Sequence, residues 1–287
     1  MLLGLGLALA SALAHAAWNT AAKHVSAGGV AALWAYTFAA WCVVTPAAAV
    51  VVVVRGPDLF DVQTAVLSAG STLLHTAYAA TLQRAYRSAQ MSQVYPLSRG
   101  LAPALVAASA LAFLGQTLST AQVAGMLLMC IAVGLLLHEA APEDTRSSSS
   151  DSVLWSLAIA TIVAAYTLYD GWAVVAAEVD PLGYYVFGAS LQLALLSLIA
   201  GRKLPEGIQQ LRVHRRVIAV LAVLIPTSYL TGLYASQLVA ISVVAALRSS
   251  SLIWAACAAS MLLGERIGRV RAAAIAASAL AMVAFAS

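Results

Sequence analysis

The sequence predicts an all-α, polytopic membrane protein with ten transmembrane helices arranged as two inverted five-helix repeats. Of its 287 residues, 62% are hydrophobic and only 9% are charged, whereas soluble domains have about 25% charged residues. A soluble protein of this size could not cover its surface with so few charges. The second observation is a series of ten long apolar runs, and the third is a pair of arginines at matching places in the two halves.

Each apolar run is close to the length of a transmembrane helix, since about 20 helical residues cross a hydrocarbon core of about 30 Å. The first run could be taken for a signal peptide, but it has no basic leading region and is longer than a signal-peptide core. We therefore predict that it is retained as a helix. The predicted helices span approximately residues 2–22, 30–54, 62–82, 90–114, 119–138, 153–175, 182–200, 217–236, 241–263 and 270–286.

A polar linker of residues 139–152 divides the chain into two parts. It contains Pro142 and four consecutive serines at 147–150, a composition typical of a surface connection. We predict a first five-helix repeat over residues 1–138 and a second over residues 153–287. Because five is an odd number, the second repeat enters the membrane from the opposite face, and the two form an inverted repeat of the kind that secondary transporters use.

The cationic residues outside the apolar runs are unevenly distributed between the two faces of the predicted bundle. The face opposite the N-terminus has twelve lysines and arginines, whereas the N-terminal face has Arg55 alone. By the positive-inside rule, the face opposite the N-terminus is cytoplasmic and both termini lie outside. The twelve residues are Lys23, Arg84, Arg87, Arg146, Arg202, Lys203, Arg212, Arg215, Arg216, Arg266, Arg269 and Arg271.

Arg99 and Arg248 lie deep in the fourth and ninth apolar runs, 149 residues apart. An arginine at membrane depth costs at least about 2.5 kcal/mol, so it faces the bundle interior, a partner or a water-filled cavity. Its planar guanidinium can bind a carboxylate, phosphate or phosphonate in bidentate fashion. Ser92 and Tyr95 share a helix face with Arg99, and Ser251 shares one with Arg248. We interpret these five residues as substrate-binding; the alternative is that each arginine is a structural tie to a carbonyl or a buried acid.

Asp170 is the one acidic residue well inside a predicted helix. It could pair with an arginine, carry a coupling proton or bind a substrate amine. His75, near mid-depth and on one helix face with Tyr78, is a second candidate for proton coupling as well as for substrate binding. Asn19 and Trp18 of the first helix complete the candidate site. For each of these residues a structural role, as a hydrogen-bonded core residue or an interfacial aromatic, stays open.

The sequence favours neither an enzyme nor a metal or cofactor site. It has no phosphate-binding glycine loop and no Cys/His spacing typical of a metal site. Its three cysteines, Cys42, Cys130 and Cys257, all fall within predicted helices and do not predict disulfides. Because the basic residues lie at helix ends, we expect no nucleic acid partner. The expected partners are the lipid bilayer, a small-molecule substrate and a coupling proton, with the protein a monomer or a homodimer.

Several motifs resemble those of the EamA-type ten-helix proteins of the drug/metabolite transporter superfamily, and the similarity covers nearly the whole chain. The motifs are His15-Ala-Ala-Trp18-Asn19, Ala85-Tyr86-Arg87, Tyr95-Pro96-Leu97-Ser98-Arg99-Gly100 and Leu263-Gly264-Glu265-Arg266. In the first half, Gly115-Gln116 replaces the Gly-Glu pair, which argues against a catalytic or coupling role for that acid.

The resemblance implies a basket-like bundle whose central cavity is flanked by the first, third, fourth, sixth, eighth and ninth helices. It implies a bacterial inner-membrane exporter of amino acids or other metabolites. Organellar relatives exchange organic phosphates through cations on the fourth and ninth helices, which carry Arg99 and Arg248 in this sequence. The resemblance also implies that both termini are cytoplasmic, opposite to the topology that the charge distribution predicts.

These observations lead to one hypothesis and two alternatives. The hypothesis is a secondary transporter that exports a small anionic or zwitterionic metabolite, such as an amino acid or organic acid, by alternating access. The first alternative is an exporter of cations or aromatic drugs, in which Asp170 and the aromatic residues bind the substrate. The second is a non-transporting membrane scaffold or sensor with a closed, apolar interior.

Overall fold

The structure is a computed structural model that describes residues 1–22, 24–25, 29–88, 91–140, 150–255, 257 and 268–286. For residues 55, 58–59, 83, 86–88, 91–93, 95–97, 99–100, 136–140, 150, 271 and 286 it describes the backbone alone. Every regular element within the described ranges is a helix, and no strand occurs there. The prediction of an all-helical fold is therefore confirmed.

The helices coincide closely with the predicted apolar runs, and one further short helix lies between the seventh and eighth runs. In chain order they are α1 (Leu2–Ala22), α2 (Gly29–Arg55), α3 (Val62–Ser88), α4 (Met91–Phe113), α5 (Thr120–Ala140), α6 (Ser150–Val175), α7 (Pro181–Ala200), α8 (Leu204–Val213), α9 (Arg215–Ser236), α10 (Ile241–Ser249) and α11 (Arg269–Ala286).

Five helical segments of the described chain are long and apolar enough to cross a membrane. They are α1, α2, α6, α9 and the segment that α7 forms with the turn and helix after it. Shorter apolar stretches lie at Leu101–Phe113, Thr120–Leu135, Ile241–Ala255 and Ala272–Phe285. The length and composition of the five long segments identify the chain as a membrane protein.

The distribution of side-chain sizes also fits a lipid environment. Large apolar side chains point outward, among them Val53 (85% exposed), Phe113 (83%) and Leu198 (79%). The buried core is built largely from small residues, and alanine is the commonest of them. Small residues let helix backbones approach closely where lipid provides no hydrophobic driving force between helices.

Polar contacts link helices that are distant in sequence. The indole nitrogen of Trp34 donates to Ser197 Oγ at 2.8 Å, and that of Trp41 donates to Ser190 Oγ at 2.9 Å, both joining α2 to α7. Ser11 of α1 and Ser228 of α9 each donate a side-chain hydrogen bond to the other's carbonyl. Beyond these contacts, α3 packs on α6 and α7, α4 on α6 and α10, and α5 on α11.

Two aspartates outside the apolar cores of the helices start helices. Asp61 accepts a hydrogen bond from the Thr64 amide at 2.7 Å before α3, and hydrogen bonds from the Thr64 side chain and backbone lower the pKa of Asp61. Asp180 accepts from the amides of Leu182 and Gly183 at the start of α7. Both act as N-caps, which satisfy amides that have no partner within their own helix.

Helix α8 lies in a stretch that contains no predicted apolar run. Gly207 is buried against the Trp34 ring, and a Cβ at this position would lie 2.7 Å from Trp34 Cε3. Leu204 and Leu211 pack into the same cluster, while Arg212 is exposed. One face of this helix is therefore apolar and the other polar. Taken alone, its residues do not form an apolar run in the sequence, although the helix continues the membrane segment that α7 begins.

The predicted helix over residues 241–263 is interrupted. Helix α10 ends at Ser249, Ser250 forms a turn, and helical residues resume at 251–255. The Ser250 hydroxyl donates to the Leu247 carbonyl at 2.6 Å and accepts from the Trp254 indole at 3.2 Å. The Leu247 carbonyl also accepts from the Ser250 amide at 3.0 Å, so both the backbone and the side chain of Ser250 hold the turn.

Close packing of α5 on α11 gives the first prediction. A Cβ on Gly125 would lie 3.0 Å from the Ala281 carbonyl oxygen and 3.0 Å from Phe285 Cε1. We expect Gly125→Val to lower the free energy of unfolding by about 1–3 kcal/mol, the usual cost of overpacking. The measurement is thermal unfolding of the purified protein in detergent.

The matched control lies on the same helix. A Cβ on Gly134 would have no neighbour within 4 Å, so Gly134→Val should change the unfolding free energy by no more than about 0.5 kcal/mol. Equal destabilisation by the two variants would contradict the proposed close contact between α5 and α11.

Candidate functional site

A cavity of about 520 Å³ lies between α1, α4, α6 and α10. Its volume is within the range of about 300–1,000 Å³ that is typical of small-molecule sites. No acidic side chain is among the described residues that line it. The lining residues are His15, Ala16, Asn19, Thr20, Ala22, Ala102, Pro103, Val106, Val163, Tyr166, Thr167, Ala245, Arg248, Ser249, Ser251, Leu252 and Ala255.

Arg248 is the charged residue of this cavity. It lies on the last turn of α10, and Gly232 of α9 makes room for it, since a Cβ on Gly232 would be 3.5 Å from Arg248 Nη1. Among the described residues the one side-chain ion pair joins His75 to Asp170, so no described carboxylate neutralises the guanidinium. The turn at Ser250 lets Ser249 and Ser251, on either side of it, line the cavity beside Arg248.

Three polar side chains of the wall donate a hydrogen bond to a carbonyl of their own helix. The Asn19 amide donates to the His15 carbonyl at 3.0 Å, the Thr20 hydroxyl to Ala16 at 2.9 Å, and the Ser249 hydroxyl to Ala245 at 3.1 Å. Each side chain therefore uses a donor within its own helix and keeps oxygen lone pairs for a ligand. The wall combines one guanidinium with neutral side chains that offer oxygen acceptors, and the Asn19 amide keeps a second hydrogen to donate.

A second polar centre surrounds the buried carboxylate of Asp170 on α6. Its Oδ1 accepts hydrogen bonds from Ser71 Oγ at 2.6 Å and from Tyr184 Oη at 2.8 Å. Its Oδ2 accepts from Tyr229 Oη at 2.7 Å and contacts His75 Nε2 at 3.1 Å. The partners come from α3, α7 and α9, so this carboxylate joins four helices.

Stacked aromatic rings connect the two centres. The imidazole of His75 stacks on the Tyr166 ring with centroids 4.2 Å apart, and Tyr166 also lines the cavity. Tyr78 meets the Tyr166 ring edge-on at 5.8 Å. His75 and Tyr78 therefore lie one layer behind the cavity wall, and Tyr166 separates them from the Arg248 cavity.

The structure brings together some of the predicted site residues. Asn19, Arg248 and Ser251 line one cavity. Trp18 is not among its lining residues and instead meets the His15 ring edge-on at 5.0 Å. The Asp170 carboxylate contacts His75, and Arg248, one of the partners considered from the sequence, is not among its hydrogen-bond partners.

Three further predicted residues, Ser92, Tyr95 and Arg99, belong to α4. Their side chains lie outside the described residues. The interpretation of Arg99 as the partner of Arg248 in substrate binding therefore stays a prediction. The packing of α4 against α10 brings together the two helices that carry these arginines.

Sequence reasoning missed several residues of both centres. Ser71 precedes His75 by one helical turn, so their i, i+4 spacing was a usable signal. Tyr184 lies on a different helix from Asp170, and no helical spacing rule predicts that the two side chains meet. Thr20 and Thr167 of the cavity wall are single hydroxyls in apolar helices, which occur commonly without a functional role.

Comparisons with known proteins extend the description of the fold. No family model matches the chain, and no curated protein matches it. A crystal structure of another protein superposes on 98% of this chain and 95% of its own chain, with a TM-score of 0.72 and 18% sequence identity. A similarity at this identity shows that the two chains share a fold across their lengths.

The hydrogen bonds to Asp170 give the second prediction. Tyr184→Phe removes one donor to a buried carboxylate and should lower the free energy of unfolding by about 1.5–3 kcal/mol, as is usual for bonds to charged groups. Tyr185→Phe is the matched control, because the Tyr185 hydroxyl has no hydrogen-bond partner among the described residues; its effect should stay within about 0.5 kcal/mol. Thermal unfolding in detergent measures both, and a larger effect at Tyr185 would contradict the assignment of this centre.

Proposed function

We propose that this protein is a secondary transporter of the drug/metabolite type that exports a small anionic or zwitterionic metabolite by alternating access. The observation that carries the proposal is the Arg248 guanidinium, which lines a cavity of about 520 Å³ in an apolar helical bundle. A half-buried cation inside an apolar bundle, with no acidic partner among the described residues, is costly and is a usual sign of a substrate or ion pathway.

The chemistry of the guanidinium favours an acidic substrate. Its planar set of N–H donors matches the two oxygens of a carboxylate, and both bonds are charge-assisted. A ligand carboxylate beside Arg248 would neutralise the guanidinium within the bundle. Arg99 enters the proposal as a second cation, on the evidence of its matching place in the sequence.

The acceptor-rich wall refines the substrate class. Asn19, Thr20 and Ser249 offer oxygen lone pairs to the cavity, because each spends a donor on its own helix. A dianion would find only one cation among the described residues that line the cavity, which neutralises one of its two charges. A molecule with one carboxylate and a donor group, such as an ammonium or hydroxyl, complements both parts of the wall. Amino acids and hydroxy acids belong to this class.

The two alternatives have weaker support. A cation exporter would need Asp170 to bind a substrate amine, yet its carboxylate already has four hydrogen-bonding partners and does not line the cavity. A non-transporting scaffold would need no polar cavity. The presence of a cavity with a cation and several hydroxyls is therefore better explained by substrate binding.

The packing of the helices supports an inverted repeat of five plus five helices. The repeat pairs α1 with α6, α2 with α7, α3 with α9, α4 with α10, and α5 with α11. If each helix is replaced by its repeat partner, the contact between α1 and α9 corresponds to a contact between α6 and α3. In the same way, the contact between α4 and α6 corresponds to a contact between α10 and α1. All four contacts occur, as expected of two halves related by a pseudo-two-fold axis.

The proposal includes a location and a mode of transport. The protein resides in the bacterial inner membrane with ten spanning helices, as a monomer or homodimer. The cavity opens alternately to the two sides as one repeat rocks against the other. In this scheme Arg248 holds the carboxylate of the substrate in both orientations.

The third prediction tests the role of Arg248. In a thermal-shift screen of amino acids, hydroxy acids, dicarboxylic acids and amines, we expect an amino or hydroxy acid to raise the unfolding temperature of the wild type. Arg248→Gln should weaken this ligand by about 10–100-fold, because a bond to a charged group contributes roughly 1.5–3 kcal/mol. Uptake of the same compound into proteoliposomes should fall in parallel.

Arg212→Gln is the control variant, since Arg212 is an exposed cation on α8 outside the cavity. It should bind and transport like the wild type. Stabilisation by amines alone, lost in Asp170→Asn and retained in Arg248→Gln, would refute the anion site in favour of the cation exporter.

A further inference from the structure

The Asp170–His75 pair is a second ionisable centre that binding of an acidic substrate does not use. His75 Nε2 lies 3.1 Å from Asp170 Oδ2, and neither residue lines the Arg248 cavity. A buried carboxylate is costly in an apolar bundle unless it is hydrogen-bonded or paired. Substrate recognition alone therefore does not explain why the bundle holds this pair.

The geometry distinguishes the two members of the pair. The carboxylate has two partners on each oxygen, which is close to its full capacity as an acceptor. The Asp170 side chain is only 7% exposed, whereas that of His75 is 30% exposed. A proton arriving from water therefore meets the imidazole first, and the carboxylate has no uncommitted lone pair to receive it.

The tautomer of His75 follows from its partner. A carboxylate is an acceptor only, so the neutral imidazole must carry its hydrogen on Nε2 to bond Asp170. The lone pair is then on Nδ1, and an added proton binds there. The proton converts a pair with a net charge of −1 into a neutral pair of imidazolium and carboxylate, and its release restores the original charge.

The pair is in contact with the cavity wall. The His75 ring stacks on Tyr166 at 4.2 Å with an interplanar angle of 29°, and Tyr166 lines the cavity. An imidazolium is attracted to the face of an aromatic ring more strongly than a neutral imidazole. Protonation therefore holds Tyr166 against His75, and deprotonation loosens it.

A second route runs through α9. Tyr229 donates to Asp170 Oδ2 at 2.7 Å, and Gly232, three residues further along the same helix, is in contact with Arg248. A change in the charge of the Asp170–His75 pair thus acts on a helix that packs beside the Arg248 side chain.

Among the residues whose side chains the structure describes, the other ionisable groups around the pair are phenols. On α4, the described side chains include no acid or base. His75 is therefore the basic member of this centre. The surrounding phenols are Tyr78 on α3, Tyr166 and Tyr169 on α6, Tyr184 and Tyr185 on α7, and Tyr229 on α9.

We propose that Asp170 and His75 form a proton-binding site, with His75 Nδ1 as the atom that takes up the proton, and that its charge state controls access to the Arg248 cavity through Tyr166. This inference rests on the proposed transport function and names the proton as its coupling ion. Asp170 is a positioning residue that orients the imidazole and stabilises its cationic form.

The fourth prediction tests this site by cysteine labelling, which needs no identified substrate. The parent variant is the full chain with Cys42, Cys130 and Cys257 replaced by alanine. It carries one reporter cysteine, Ala22→Cys, in the cavity wall. This variant is reconstituted in liposomes. Its rate of modification by a maleimide is compared at about pH 5 and about pH 8. A separate Val213→Cys reporter on exposed α8 corrects for the intrinsic pH dependence of the thiol reaction.

We expect the corrected rate at Ala22→Cys to differ by about fivefold or more between the two pH values, the lower end of typical coupling between sites. His75→Gln, whose amide can still donate to Asp170, should keep the unfolding temperature close to that of the parent and abolish the pH difference. Tyr166→Leu should abolish it as well, because the contact between the pair and the cavity is lost. A His75 with a purely structural role would change the unfolding temperature and leave the pH difference in place.

The proposal is overturned if the parent shows no pH difference, or if His75→Gln retains the difference in full. Its failure is distinct from failure of the transport proposal. Ligand-induced stabilisation that depends on Arg248, without a pH effect that depends on His75, overturns the proton site alone. A pH effect that depends on His75, in a protein that no acidic compound stabilises, supports the proton site and counts against the anion substrate.

Discussion

The constraint on which the rest of this structure depends is the cost of an ionised side chain inside an apolar helical bundle. A charge in such a place must be surrounded by hydrogen bonds or reach a polar cavity. Asp170 meets the first condition, with partners from three other helices. Arg248 meets the second, with its guanidinium in the wall of a cavity. The two charges therefore have different consequences, since one holds helices together and the other is available to a ligand.

Small residues make both arrangements sterically possible. Gly232 leaves room for the Arg248 side chain, and Gly70 of α3 packs against the Tyr169 ring. Gly171 packs against the Ile241 side chain of α10. Larger residues at these places would move apart the helices that contribute to each centre. In a bundle without a hydrophobic driving force between helices, this close approach allows the dispersion contacts and polar bonds that stabilise the fold.

Helix α6 connects these features. Tyr166 and Thr167 face the cavity, and Asp170, one turn further along, faces the hydrogen-bonding centre. A rigid helix that carries both sets of side chains transmits a displacement at one to the other. This arrangement would let the proposed proton site and the proposed acid site influence each other although they share no side chain.

The sequence by itself determined the class of protein and the positions of its helices. Low charge and apolar runs of about 20 residues predict membrane helices, because a helix of that length crosses the lipid core and satisfies its own backbone. The same cost argument singled out Arg99, Arg248 and Asp170, whereas His75 was indicated by its mid-depth position on one helix face with Tyr78. Helix α8 was beyond this reasoning, since its stability comes from Gly207 and two leucines packing near Trp34.

Only the tertiary structure decided which polar residues meet. Tyr184 and Tyr229 reach Asp170 from separate helices, and neither spacing nor composition encodes such a long-range pairing. The same holds for the pairing of Asp170 with His75, and for the cavity that sets Arg248 beside Asn19. Hydropathy and residue cost depend on each residue and its near neighbours, whereas a site depends on how helices rotate and pack, which is a property of the whole bundle.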